Sequence, residues 1–204
     1  MDKYINFEQL KRTEPDSFLI YKRQGISGVV IIAPHGDGIE PGTSEIARGI
    51  AGVEYSFYSF AGQKQKRNKD LHITSTNFDE PTGVEIAKQS ERVITIHGCG
   101  GRKPVVYLGG LDAELRNEVR ECLIEAGFNA EEHSDPDLQG ISPENICNRN
   151  KNNRGVQLEI SYGLRKLMFE NVDKRDGRIR TKPTFNKFIF AVRKAISSAG
   201  STQS

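Results

Sequence analysis

Apolar residues along the chain fall into short compact runs separated by stretches with helical spacing. Residues 29–32 (VVII), 92–96 (RVITI) and 156–160 (VQLEI) are β-branched or apolar runs suited to strands buried on both faces. Residues 54–60 alternate polar and aromatic side chains, as a half-buried strand does, while 104–108 and 71–74 read as further strands. A helix entered through Gly42, Thr43 and Ser44 follows the first run, and residues 81–90 carry a proline early in a second helix. Residues 111–126 place Leu115, Val119, Cys122, Leu123 and Ala126 on one face, with Gly127 as the stop. Helices at 162–170 and 186–197 close the chain.

The lead-in carries a short helix at 6–12 and an extended piece at 17–21. Residues 129–153 form a long polar loop of the kind that more often serves function than not. An irregular arm is read at 175–183 and a frayed tail at 198–204. Strands alternating with helices predict an α/β three-layer sandwich around a central, mostly parallel mixed sheet, with residues 1–204 as one domain.

Composition narrows the partners. The 204 residues are 36% hydrophobic and 27% charged with a formal charge of +2, an ordinary soluble protein. Basic residues cluster at Lys64, Lys66, Arg67 and Lys69 and again at Lys174, Arg175, Arg178, Arg180 and Lys182; each cluster reads as a solvated loop, with a polyanion clamp as its functional alternative. Neither carries interleaved aromatic residues or a nucleic-acid motif, so a nucleic-acid partner is not expected. Cys99, Cys122 and Cys147 are odd in number and lack C-x-x-C spacing, which fits a reducing compartment. No apolar leader and no run of about 20 apolar residues is present, so the expectation is a cytoplasmic protein without a membrane partner. It would meet an extracellular substrate after lysis or by another route, and a monomer is favoured.

The chemistry gathers after strands. His35, Asp37 and Glu40, spaced by Gly36 and Gly38, follow the first run, and His97 follows the run at 92–96. Open α/β sheets place their ligand crevices at the carboxyl ends of strands. His35, Glu40 and His97 make a ligand set suited to one zinc ion, two imidazoles and a carboxylate with a fourth position left for water, which amounts to a hydrolase. The competing carboxylates are Asp37, which could orient an imidazole, and Glu45, which suits the first turn of the following helix. A histidine that only caps a strand is the bland alternative for either imidazole; His72 and His133 fall outside the recurring pattern. Glu159, a carboxylate inside an apolar strand, is the candidate general base, the alternative being a structural pair with Arg149 or Arg154.

With those residues in view, the segments APHGDGIEPGTSEIA, FYSFAG, LHITSTNFDEP, ITIHGC, YLGGLD and LQGISPENICNRN through RGVQLEISYGLR resemble the poly-γ-glutamate hydrolases of bacteriophages and Bacillus. The resemblance runs from about residue 27 to 169. It implies a zinc carboxypeptidase-like fold and a zinc peptidase cutting γ-amide links of poly-γ-glutamate, with His35, Glu40 and His97 as ligands and Glu159 as catalytic glutamate. Asn148 and Arg149 resemble the Asn-Arg pair with which carboxypeptidases grip a carboxylate. The polymer carries one free α-carboxylate per residue, so Arg149 and Arg154, near Glu159 in sequence, are expected to bind it or polarise the scissile carbonyl, and the loop at 64–69 to extend the track. A zinc amidase of small γ-glutamyl or acylamino compounds is the alternative activity.

Overall fold

The β-branched runs do become the centre of a sheet. The computed structural model describes residues 2–201 and arranges seven strands in the order β1-β3-β2-β4-β7-β5-β6. In chain order these are β1 (Phe18–Arg23), β2 (Val29–Asp37), β3 (Ser56–Gly62), β4 (Arg92–Cys99), β5 (Val106–Gly109), β6 (Ala130–Glu131) and β7 (Val156–Ser161). The four central strands β3, β2, β4 and β7 run parallel; β1 joins β3 and β5 joins β7 antiparallel, and β6 extends β5 in parallel.

Alternation along β2 divides the core between two faces. Ile31 and Ala33 pack on one side in a cluster with Ile46 and Ile50 of α2 (Thr43–Ala51), Leu115 and Val119 of α4 (Ala113–Glu125), Leu164 of α5 (Tyr162–Met168) and Phe188 and Val192 of α7 (Pro183–Ser201). Val30 and Ile32 face the other side, with Phe7 and Leu10 of α1 (Phe7–Thr13) and Ala87 of α3 (Pro81–Gln89). That is the three-layer sandwich, and truncating Ile31 or Ile32, both fully buried, to Ala is expected to cost about 2–5 kcal/mol. No helix among the described residues is long and apolar enough to cross a membrane.

Several local expectations change. Residues 71–74 are not a strand: a single 3-10 turn at Asn68–Leu71 leads into coil. The arm contains a short helix, α6 (Arg175–Ile179). The final helix starts earlier and runs further than its apolar spacing suggested, through positions 198–201 of the expected tail, because Ala195, Ile196 and Ala199 pack on the core and Arg92 Nη2 donates to the Ala199 carbonyl at 2.8 Å. Positions 202–204 lie outside the described residues.

The topology makes one crevice. After β2 the chain crosses through α2 to β3 on one side, and then returns through α3 to β4 on the other. The carboxyl ends of β2 and β4 therefore diverge at a switch point, where such sheets open a ligand site.

Candidate metal centre

His35 lies inside β2 rather than after it. The strand passes through Pro34 because the register with β3 shifts between Ala33 and Gly36, a bulge that re-aims the side chain at 35. Gly36 allows this: a Cβ there would lie 2.2 Å from Ser59 Oγ and 2.3 Å from Ser44 Oγ. The chain then folds back, with the Glu40 amide donating to the His35 carbonyl at 3.0 Å, and the Glu40 carboxylate returns over the imidazole. His97 sits near the end of β4, within the strand, and in the parallel register its partner on β7 is Glu159.

These side chains converge. His35 Nδ1 lies 3.1 Å from Glu40 Oε1 and 3.2 Å from His97 Nδ1, and His97 Nδ1 lies 3.8 Å from Glu40 Oε2. His35 Nε2 donates to the Ile73 carbonyl at 2.8 Å, which leaves the Nδ1 lone pair facing inward when the ring is neutral. His97 Nε2 has Ser75 Oγ at 3.4 Å. Two inward nitrogens at this spacing repel unless a proton or a cation lies between them. Ligands about 2.0–2.1 Å from a tetrahedral zinc stand about 3.3 Å apart, close to the two shorter separations here. The donor set, its spacing and the outer hydrogen bonds that fix ring orientation thus fit zinc.

A third imidazole stands beside them. His72 stacks on His35 with ring centroids 3.9 Å apart, donates from Nδ1 to Asp2 Oδ1 at 2.7 Å and turns Nε2 toward Glu40 Oε1 at 3.9 Å. One donor atom each from His35, Glu40 and His72 all fall within 4.8 Å of one another. His97 brings Nδ1 to 3.2 Å from His35 Nδ1 and is almost fully buried, whereas the His72 side chain is 34% exposed and its ring lies nearer to that of His35, so both imidazoles stand within reach of the site.

In the metal-free site the electrostatics favour a proton on His35 beside an ionised Glu40. Burial pushes the His35 pKa down, but the Glu40 carboxylate beside it outweighs this and the net shift is upward. Burial raises Glu40, yet His35 and then His97 bring it down to about 2. Burial, aided by the neighbouring His35 and only partly opposed by Glu40, holds His97 neutral with a pKa of about 3. Glu159 is raised well above the carboxylate range, first by burial and then by Glu40. It accepts from Gln157 Nε2 at 3.1 Å and shares a cleft of about 620 Å³ with His35, Glu40, His72 and His97.

The other sequence candidates lie elsewhere. Asn148, expected at the substrate, is buried and fully engaged: its Oδ1 accepts from the amides of Leu111 and Gly155, and its Nδ2 donates to the carbonyls of Gly140 and Ser142. Arg149 spends its donors on the carbonyls of Thr76, Phe78 and Glu144 and borders a different hollow beside α3. Arg154 precedes β7 and lines a hollow at the amino ends of β2 and β4, away from the cleft. None of the three reaches Glu159. Asp37 is held by Arg178 and, at 3.0 Å, by Arg175, while Glu45 pairs with Arg178 Nε at 2.8 Å, so neither competes with Glu40 for the site. His133 packs against the Tyr107 ring outside the cleft.

Sequence reasoning passed over two residues. His72 sits in coil, where no periodicity marks it. Arg165 of α5, also buried, donates to the carbonyls of Pro41 at 2.6 Å, Cys99 at 2.9 Å and Ile160 at 3.0 Å. It thereby ties the ends of β4 and β7 to the turn beyond β2. Its only sequence signal was a cation one helical turn after the Ser161 cap of α5.

The sequence profile of the poly-gamma-glutamate hydrolase family matches residues 4–191. Two Bacillus subtilis proteins are similar along most of the chain. The SPbeta prophage-derived protein YoqZ is 44% identical over 170 residues, 82% of this chain and 62% of that protein, so the chain spans less than two thirds of its length. YndL is 38% identical over 189 residues, 92% of this chain and 75% of that one. Among solved structures, a bacteriophage poly-gamma-glutamate hydrolase superposes with a TM-score of 0.95 at 30% identity, covering both chains entirely. Zinc-free YndL superposes with a TM-score of 0.93 at 36% identity, covering 98% of this chain and 99% of that one.

Proposed function

The chain belongs to the poly-gamma-glutamate hydrolase family, and from that premise we propose that it hydrolyses the γ-glutamyl amide bonds of poly-γ-glutamate with one zinc ion held by His35, Glu40 and His97. The observation that carries this reading is the convergence of those three donors in the cleft that Glu159 enters from the neighbouring strand. Bound there, zinc supplies a Lewis acid that polarises a carbonyl and makes water a nucleophile near neutral pH.

Each protein group has a distinct task. The Glu159 carboxylate accepts a proton from the attacking water and returns it to the leaving amine nitrogen; burial keeps its proton affinity high, as that work requires. Gln157 Nε2 fixes the carboxylate's orientation through its 3.1 Å hydrogen bond. The Gly98 amide, donating to Glu40 Oε2 at 2.8 Å, and the Ile73 carbonyl, accepting from His35, hold the donors in place. The loop around Leu138, Gly140 and Ser142 covers one side of the cleft and limits its water.

Chelation should abolish shortening of the polymer and added zinc restore it, with product sizing on poly-γ-glutamate as the readout. Zinc-loaded protein that leaves polymer length unchanged overturns the proposal.

A further inference from the structure

Glu40 and His72 form a wall between two hollows. Beside the cleft that holds Glu159, and sharing Thr74, Gly98 and Cys99 with it, lies a second cavity of about 740 Å³, bounded on its far side by Tyr162, Arg165 and Lys69. Its acids are already occupied. Asp2 is bound to His72 and to the Thr74 amide, and Asp173 accepts from the Tyr162 hydroxyl at 2.8 Å.

Its cations are not neutralised in the same way. Arg165 is 4% exposed and makes no ion pair among the described residues; its hydrogen bonds go to carbonyl oxygens, and the carboxylates of Glu40, Glu159 and Asp173 act on its charge without touching it. The basic loop sorts itself by pairing. Lys64 is bound to Glu14 and Arg67 to Asp70, but the exposed Lys69 has no ion pair among the described residues and lines this cavity. Lys66, on the same loop, does not line it.

We propose that this cavity is the subsite for the glutamyl residue next to the scissile amide, and that Lys69 recognises its free α-carboxylate over the positive floor supplied by Arg165. The inference rests on the proposed function of the neighbouring cleft and assigns one side of it. A chain with a carboxylate on every residue presents an anion wherever its neighbour is held, and a flexible ammonium at the rim meets it without a large desolvation cost. An α-peptide lacks that regular pendant charge and gains nothing from Lys69, so the residue determines specificity.

Two measurements test this. In the zinc-loaded enzyme, Lys69→Ala should raise KM for poly-γ-glutamate about three- to ten-fold with little change in kcat, Lys69→Glu should raise it further, and Lys66→Ala should match wild type. The preference for a γ-glutamyl oligomer with free α-carboxylates over its α-amide counterpart should shrink by the same factor in Lys69→Ala. Chelator-treated protein then reads binding of the free-acid oligomer without turnover: wild type should bind more tightly than Lys69→Glu, and rising salt should narrow the difference. Equal binding and equal KM in wild type and Lys69→Glu overturn the subsite while leaving the hydrolase reading intact. Absence of polymer cleavage by wild type overturns that reading, and the binding comparison still decides the subsite.

Discussion

Replacing Glu159 by Gln should stabilise the metal-free protein while removing its activity. The carboxyl is 6% exposed, has one hydrogen-bond donor in Gln157 and feels the negative charge of Glu40, and its pKa is raised well above the ordinary value by burial and then by that charge. A group whose native pKa exceeds its unfolded one holds a proton that the unfolded chain releases, so folding is penalised increasingly as pH rises above the unfolded value. Each pKa unit of elevation is about 1.4 kcal/mol. A neutral isostere that can keep the Gln157 contact escapes the penalty. At pH 8 the metal-free Gln variant should therefore be more stable by more than about 1 kcal/mol, a rise in Tm of at least about 2–4 °C for a chain this size. The gain should vanish near pH 3, where both states are protonated, and shrink in zinc, whose charge stabilises the native carboxylate. Loss of the proton acceptor should lower kcat about 10²- to 10⁴-fold with zinc still bound. Thermal melts across pH with and without zinc, beside kcat, decide it. A metal-free variant less stable than wild type at pH 8 refutes the burial argument, and full activity refutes the catalytic role.

Three further outcomes follow from the same geometry. His97→Ala should lose stoichiometric zinc by metal analysis, while His72→Ala should retain it; the reverse result would make His72 the third donor. Zinc affinity should fall as pH drops, because the proton that Glu40 stabilises on His35, whose pKa is raised, must leave before the metal enters; a chelator titration showing no proton release near neutral pH would contradict this. Arg178, 2% exposed, bridges Asp37 and Glu45, so Arg178→Ala should cost about 3–5 kcal/mol in chemical unfolding, and a loss under 1 kcal/mol would show that water replaces the bridge.

The sheet and the two strand-end histidines could be read from the chain because buried parallel strands need unbroken apolar runs, and chemistry gathers at their carboxyl ends. What the pattern missed was long-range. The pattern placed His35 after the run at 29–32, but the bulge carries β2 on to Asp37, so His35 belongs to the strand. Arg149 and Arg154 looked close to Glu159 by numbering alone. Arg154 lies before the amino end of β7, and five residues of extended chain place it about 16 Å away along the strand. Pairing of Glu159 with His97 depends on a register between strands separated by more than fifty positions, which no local periodicity encodes. His72 owes its place to Asp2 and to stacking on His35, neither of which leaves a spacing signature.

The guanidinium of Arg165 has a consequence for how this centre can fail or evolve. The turn beyond β2 and the ends of β4 and β7 hang from one rivet, so a change that loosens it would misalign cation capture and proton transfer together rather than one at a time. Selection for new substrates is then channelled to the rim, where Lys69 stands, because the rim can be rebuilt without disturbing what the rivet holds.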